Sequence, residues 1–107
     1  MIVRMWHGRT APQQADAYAA FLAQRAVPDY RSVPGNLAAY VLRRDAADAT
    51  DFITLTHWES EDAIRAFAGE DLLKAKYYPE DAGFLLEFEP DVVHYRLVVA
   101  DVADVSR

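Results

Sequence analysis

The chain has 107 residues, 52% of them hydrophobic, and 17 Asp+Glu against 11 Lys+Arg give it a formal net charge of −6 at pH 7. That length suits one domain, residues 1–107, around one core, and the acidic balance argues against a nucleic-acid backbone or an anionic membrane as partner. The absence of cysteine removes disulfides, thiolate metal sites and cysteine nucleophiles; with no apolar leader and no run near the roughly 20 residues of a membrane helix, the chain reads as soluble and cytoplasmic.

Ile2 to His7 alternates as a strand, with Ile2, Arg4 and Trp6 on one face and Val3, Met5 and His7 on the other, and Gly8 closes it. Thr10-Ala11-Pro12-Gln13 spells a capping box for a first helix reaching about Ala26, with the stripe Tyr18, Phe21, Leu22 and Arg25. Pro28 predicts an end or a kink there. Val33-Pro34-Gly35-Asn36 is a turn before a second strand, Leu37 to about Arg43, and Arg44 to Thr50 is a hairpin connection.

Asp51 to Gly69 is the central stretch. Phe52, Thr54, Thr56 and Trp58 share one strand face, and Ile53, Leu55 and His57 the other. Ser60 then caps a helix with Glu61 and Asp62 in its first turn, an inward stripe of Ile64, Phe67 and Ala68, and Gly69 as its stop. Glu70 to Tyr78 is expected to restart as a helix with Leu72, Leu73 and Tyr77 inward. Phe84 to Phe88 reads as a short helix or a strand, and the fourth strand runs from Asp91 to about Val99. The tail from Ala100 carries Val102 and Val105, which pack on a partner or fray.

The order β-α-β-β-α-β predicts a ferredoxin-like α+β fold, a four-stranded antiparallel sheet with helices on one face. The second face would carry Leu37, Val41, Ile53 and Leu55, or their opposites, and either set is apolar. A second copy of the same sheet, in a two-fold homodimer, is the simplest cover.

The element order, the Pro34-Gly35 turn, and Thr56-His57-Trp58-Glu59-Ser60 leading into Ala63-Ile64-Arg65-Ala66-Phe67 resemble the antibiotic-biosynthesis-monooxygenase-like (ABM) family of the dimeric α+β barrel superfamily. The resemblance covers residues 1 to 99. It implies a small-molecule-binding homodimer with a small hydrophobic or aromatic ligand. One branch consists of cofactor-independent monooxygenases of aromatic or polyketide-like substrates. The alternative is a non-catalytic ligand-binding or stress-related homodimer, and haem binding or degradation comes third. Trp58 matches the tryptophan that the haem-degrading branch keeps, but Tyr77 stands where that branch has its iron-binding histidine, and His7 is nearest to its strand-one asparagine.

The oxygenase branch implies no metal and no cofactor: a deprotonated phenol or anthrone reacts directly with oxygen. Such chemistry asks for an apolar cavity, a base and a donor to the enolate. Trp6, Tyr40, Trp58, Phe67 and Phe84 are the expected substrate-binding residues, with ordinary core packing as the alternative role for such aromatics. His94 is either a partnered core histidine or the general base, and Tyr77 is the expected hydroxyl donor. His57 and His7 point to the other sheet face, and the three histidines lack metal-ligand spacing. Arg4 and Arg96 read as inward charges in ion pairs. Glu70-Asp71 and Glu80-Asp81 read as solvated acids at helix starts.

Overall fold

A computed structural model of the chain describes residues 1–103. Strands β1 (Ile2–Thr10), β2 (Asn36–Asp45), β3 (Thr50–Trp58) and β4 (Val93–Arg96) form one sheet in the order β2-β3-β1-β4. Each neighbouring pair is antiparallel. This is the expected ferredoxin-like arrangement. Alternation places Arg4, Trp6, Gly8 and Thr10 of β1 and Phe52, Thr54, Thr56 and Trp58 of β3 on the covered face, where all are buried.

The first helical stretch has four parts: a 3-10 turn (Pro12–Gln14), α1 (Ala15–Phe21), a π turn (Leu22–Ala26) and α2 (Val27–Ser32). The capping box at Thr10 does not form. Thr10 remains in β1 opposite Thr50, and its hydroxyl donates to the Ala11 carbonyl instead. Pro28 does not end the helix. A proline ring crowds the carbonyl one turn back and supplies no N–H. The π turn just before it, with the Val27 N–H on the Leu22 carbonyl, widens the helix and carries it past the proline. The buried stripe is Ala15, Tyr18, Leu22, Ala26 and Tyr30; Arg25 faces outward, its guanidinium 5.0 Å from the Tyr78 ring centre.

Helix α3 (Glu61–Ala68) forms as expected. Ser60 Oγ accepts from the Ala63 N–H at 3.2 Å, and Gly69, at φ 95°, ends it. Its start is locked to the β2 turn. Gly35, at φ 92°, accepts from the Glu59 N–H at 2.9 Å, and any Cβ there would lie 2.5 Å from that of Ala63.

Glu70 to Tyr78 is not a helix. After Gly69 the backbone finds partners across the fold rather than one turn back. Ala75 N–H reaches the Pro90 carbonyl at 2.8 Å, Val92 N–H reaches Leu73 at 2.7 Å, and Arg4 takes the Leu72 and Lys74 carbonyls. Phe84 to Phe88 is neither helix nor strand: Leu85 bridges to Thr10, and Leu86 N–H donates to Arg9 at 2.9 Å. β4 is shorter than Asp91–Val99, and Val98, Val99 and Val102 are exposed. Val105 lies outside the described residues.

The uncovered face differs in register from the expectation. An irregularity between Asn36 and Ala38 shifts β2, so Val41 turns inward opposite Thr54, while Ala38, Tyr40 and Leu42 join His57, Leu55 and Ile53. Val3, Met5, Val93 and Tyr95 complete this face. No helix among the described residues is long and apolar enough to cross a membrane.

Candidate functional site

Between the sheet and its helices lie two small voids of about 10 Å³ each. The first is bounded by Arg4, Trp6, Thr54 and Thr56 from the sheet, Tyr30 and Phe67 from the helices, and Lys76 and Val92. The second is bounded by Trp6, Tyr30 and Lys76 again, with Tyr18, Leu22, Tyr78 and Asp81. Exposed Lys76 closes the mouth of both, its ammonium 4.2 Å from the Phe67 ring centre and 3.2 Å from the Phe67 carbonyl.

Trp6 borders both voids, as do Tyr30 and Lys76. Its indole lies back over Gly8, where a Cβ would come within 2.4 Å of the ring. The Trp6 Nε1–H is buried and has no acceptor among the described residues. The Tyr77 ring lies 6.2 Å away edge-on, and its hydroxyl donates to the Glu89 carbonyl. Burial raises the pKa of Tyr77, and the nearby indole N–H partly opposes that rise without an aligned hydrogen bond.

Arg4 is 4% exposed. Burial lowers its pKa to about 10, so it stays charged at neutral pH. It donates to Leu72 and Lys74 carbonyls and, at 3.1 Å, to His94 Nε2. A guanidinium only donates, so His94 accepts at Nε2 and is neutral with its proton on Nδ1. Burial and the Arg4 charge both lower the His94 pKa, against the pull of Glu61. The first void is therefore bordered by two cations and the Trp6 ring, with no carboxylate among the described residues of its wall.

The second void has a different character. Asp81, 2% exposed, is no solvated acid. Its Oδ1 accepts from the Tyr18 hydroxyl at 2.9 Å and its Oδ2 from the Tyr78 N–H at 2.6 Å. Burial raises its pKa, the two hydrogen bonds oppose the rise, and Glu80 adds to it. Burial likewise pushes the Tyr18 and Tyr78 hydroxyls up, and Tyr30 up to about 12. Tyr78 donates to Asp29, whose carboxylate is 3.6 Å from Lys76.

Of the expected site residues, Trp6 and Phe67 border the voids. Trp58 is wholly buried beneath them, its Nε1–H on Thr56 Oγ1 at 2.8 Å and its ring 5.5 Å from Phe67. Phe84 packs on Tyr18 at 5.1 Å, outside both walls. Tyr40 is on the opposite sheet face beside His57. His94 and Tyr77 stand behind Arg4 and Trp6 and border neither void. Lys76, Tyr30 and Asp81 were not expected. Tyr30 continues the 15-18-22-26 stripe once the helix is allowed past Pro28, and that signal was legible.

The chain thus has a ferredoxin-like fold with two small voids between sheet and helices, lined by aromatics, Arg4, Lys76 and Asp81. The ABM model, antibiotic biosynthesis monooxygenase, matches residues 1–76, and the chain belongs to that family. Solved structures share the fold. A candidate antibiotic-biosynthesis monooxygenase from Bacillus cereus is 12% identical, with a TM-score of 0.64 over 95% of this chain and 97% of that one. The monooxygenase of Streptomyces coelicolor gene ActVA-Orf6, in complex with nanaomycin D, is 21% identical, with a TM-score of 0.61 over 96% and 92%. The haem-degrader MhuD of Mycobacterium tuberculosis, with two haems bound, is 20% identical, with a TM-score of 0.62 over 96% and 100%. At these identities the likeness is one of fold. No curated protein sequence matches the chain.

Proposed function

We propose that this chain is a homodimeric, cofactor-independent oxygenase of a phenolic or enolisable aromatic compound held between sheet and helices. The observation that carries this reading is one wall that holds the Arg4 and Lys76 cations with Trp6, whose buried N–H has no acceptor among the described residues. A buried donor left unpaired costs about 1–3 kcal/mol, and a bound oxyanion relieves that cost. When the substrate loses a proton, its charge spreads onto the phenolic or keto oxygen. The N–H, the buried Arg4 guanidinium and the more exposed Lys76 ammonium then stabilise the anion. The resulting carbanion reacts directly with oxygen.

In this reading Phe67, Tyr30 and Val92 hold the rings, and Trp58 supports Phe67 from below. His94 and Tyr77 act as positioning residues, His94 on Arg4 and Tyr77 on Trp6. Tyr40 serves the interface between copies. The domain spans the whole chain, and it works in the cytoplasm. A phenol such as 1,8-dihydroxyanthrone should be consumed together with oxygen by metal-free protein. Trp6→Phe removes the N–H but also shrinks a buried ring, so turnover per folded protein should fall about 10²-fold with a lowered melting temperature. No oxygen uptake by the parent protein sinks the reading, and so does a fully active Trp6→Phe. A Soret band on haem titration, with no oxygen uptake on the phenol, transfers the site to haem. Tyr77 is poorly suited to that role, because burial disfavours its phenolate.

A further inference from the structure

The substrate proton needs an acceptor in the site. His94 is poorly placed for it, because its basic nitrogen already accepts from Arg4. The second void offers another base. Asp81 lines it as a buried carboxylate, 2% exposed, and makes no ion pair among the described residues. One oxygen is fixed by the Tyr78 N–H and the other by the Tyr18 hydroxyl, so the carboxylate is rigidly aimed. Arg4 borders only the first void and Asp81 only the second, while Trp6, Tyr30 and Lys76 border both.

We infer that Asp81 is the general base of this site, with Tyr18 as its positioning residue, and that the substrate spans Trp6 with its acidic C–H or O–H toward Asp81 and its oxyanion toward Arg4. The inference rests on the oxygenase reading for its substrate class. In the step itself the substrate C–H or O–H bond breaks and an Asp81 O–H bond forms. The electron pair stays on the substrate as the enolate or phenolate, held at the Trp6 N–H. Oxygen enters only afterwards. A carboxylate desolvated this way is a stronger base than one in water.

Proton abstraction can be measured without oxygen. Under nitrogen in deuterated buffer, the parent protein should speed hydrogen–deuterium exchange at the reactive methylene of 1,8-dihydroxyanthrone. Asp81→Asn keeps the acceptor for the Tyr78 N–H, and the exchange should drop by about 10²-fold with the melting temperature retained. Exchange at the parent rate in Asp81→Asn overturns the inference, as does a parent protein that consumes oxygen but catalyses no exchange. Exchange without oxygen uptake in air leaves the base in place and removes the oxygenase reading. Should Asp81→Asn fail to fold, Tyr18→Phe decides. The groups facing Asp81 are Tyr18 of α1, Tyr30 of α2, and Lys76, Tyr77, Tyr78 and Glu80 of the connecting segment. Of these, the Tyr18 hydroxyl holds the carboxylate pKa down. Its removal should move the acid limb of the exchange profile to higher pH, and an unmoved limb rejects Asp81.

Discussion

His7 sits between two acids on the uncovered sheet face, its Nε2 2.9 Å from Asp51 and its Nδ1 2.5 Å from Glu89. Both nitrogens must donate, so the ring is imidazolium there. Burial pulls its pKa down, but the two carboxylates outweigh that and raise it above 6.5. A raised histidine pKa stabilises the fold fully below the unfolded value and loses that contribution as pH climbs through the folded one. The melting temperature should therefore fall as pH rises above about 6.5, and His7→Gln should flatten that slope; an equal slope in both proteins denies the triad. At this scale the sequence showed some groups and hid others. Trp6 and Phe67 were visible because strand alternation and helical spacing point them inward. Asp81 was not, since an acid just after Pro79 reads as a helix-start charge, and only long-range folding sets Tyr18 against it.

Secondary elements obeyed local signals where their ends were satisfied locally. Ser60 is the clearest case. Its hydroxyl takes one of the free amides of α3, and Ser60→Ala should cost about 1 kcal/mol in a denaturant titration. A loss below a few tenths would mean that burial of Ile64 and Phe67 alone sets the helix. Local signals failed where distant partners competed. The Thr10 capping box lost to strand pairing with Thr50, and the expected helix at Glu70 to Tyr78 lost to Arg4 and the Pro90–Val92 backbone. Pro28 was a sound warning of distortion, but the π turn absorbed it without a break.

On the scale of the whole molecule, the exposed side of the sheet presents Val3, Met5, Tyr40, Leu42, Ile53, Leu55, Val93 and Tyr95. A stable interface buries roughly 800 Å² per partner, and an apolar sheet of this kind supplies such a patch. Light scattering should give twice the chain mass, and Leu55→Arg should give monomers; a monomeric parent protein would contradict the homodimer. The β-α-β-β-α-β order was legible from periodicity, whereas the register of β2 was not, because one irregular residue exchanges its faces. The interior voids hold about 10 Å³ each, while a drug-sized ligand occupies a pocket of roughly 300–1,000 Å³. The resting protein is thus its own competitor: Lys76, Tyr30 and Trp6 fill the volume a ligand would claim. If the proposed substrate binds here, it requires an expanded conformer, and every 1.4 kcal/mol of expansion would weaken the apparent affinity about tenfold. Tight packing of the empty state and tight grip on the ligand are opposed quantities in this fold.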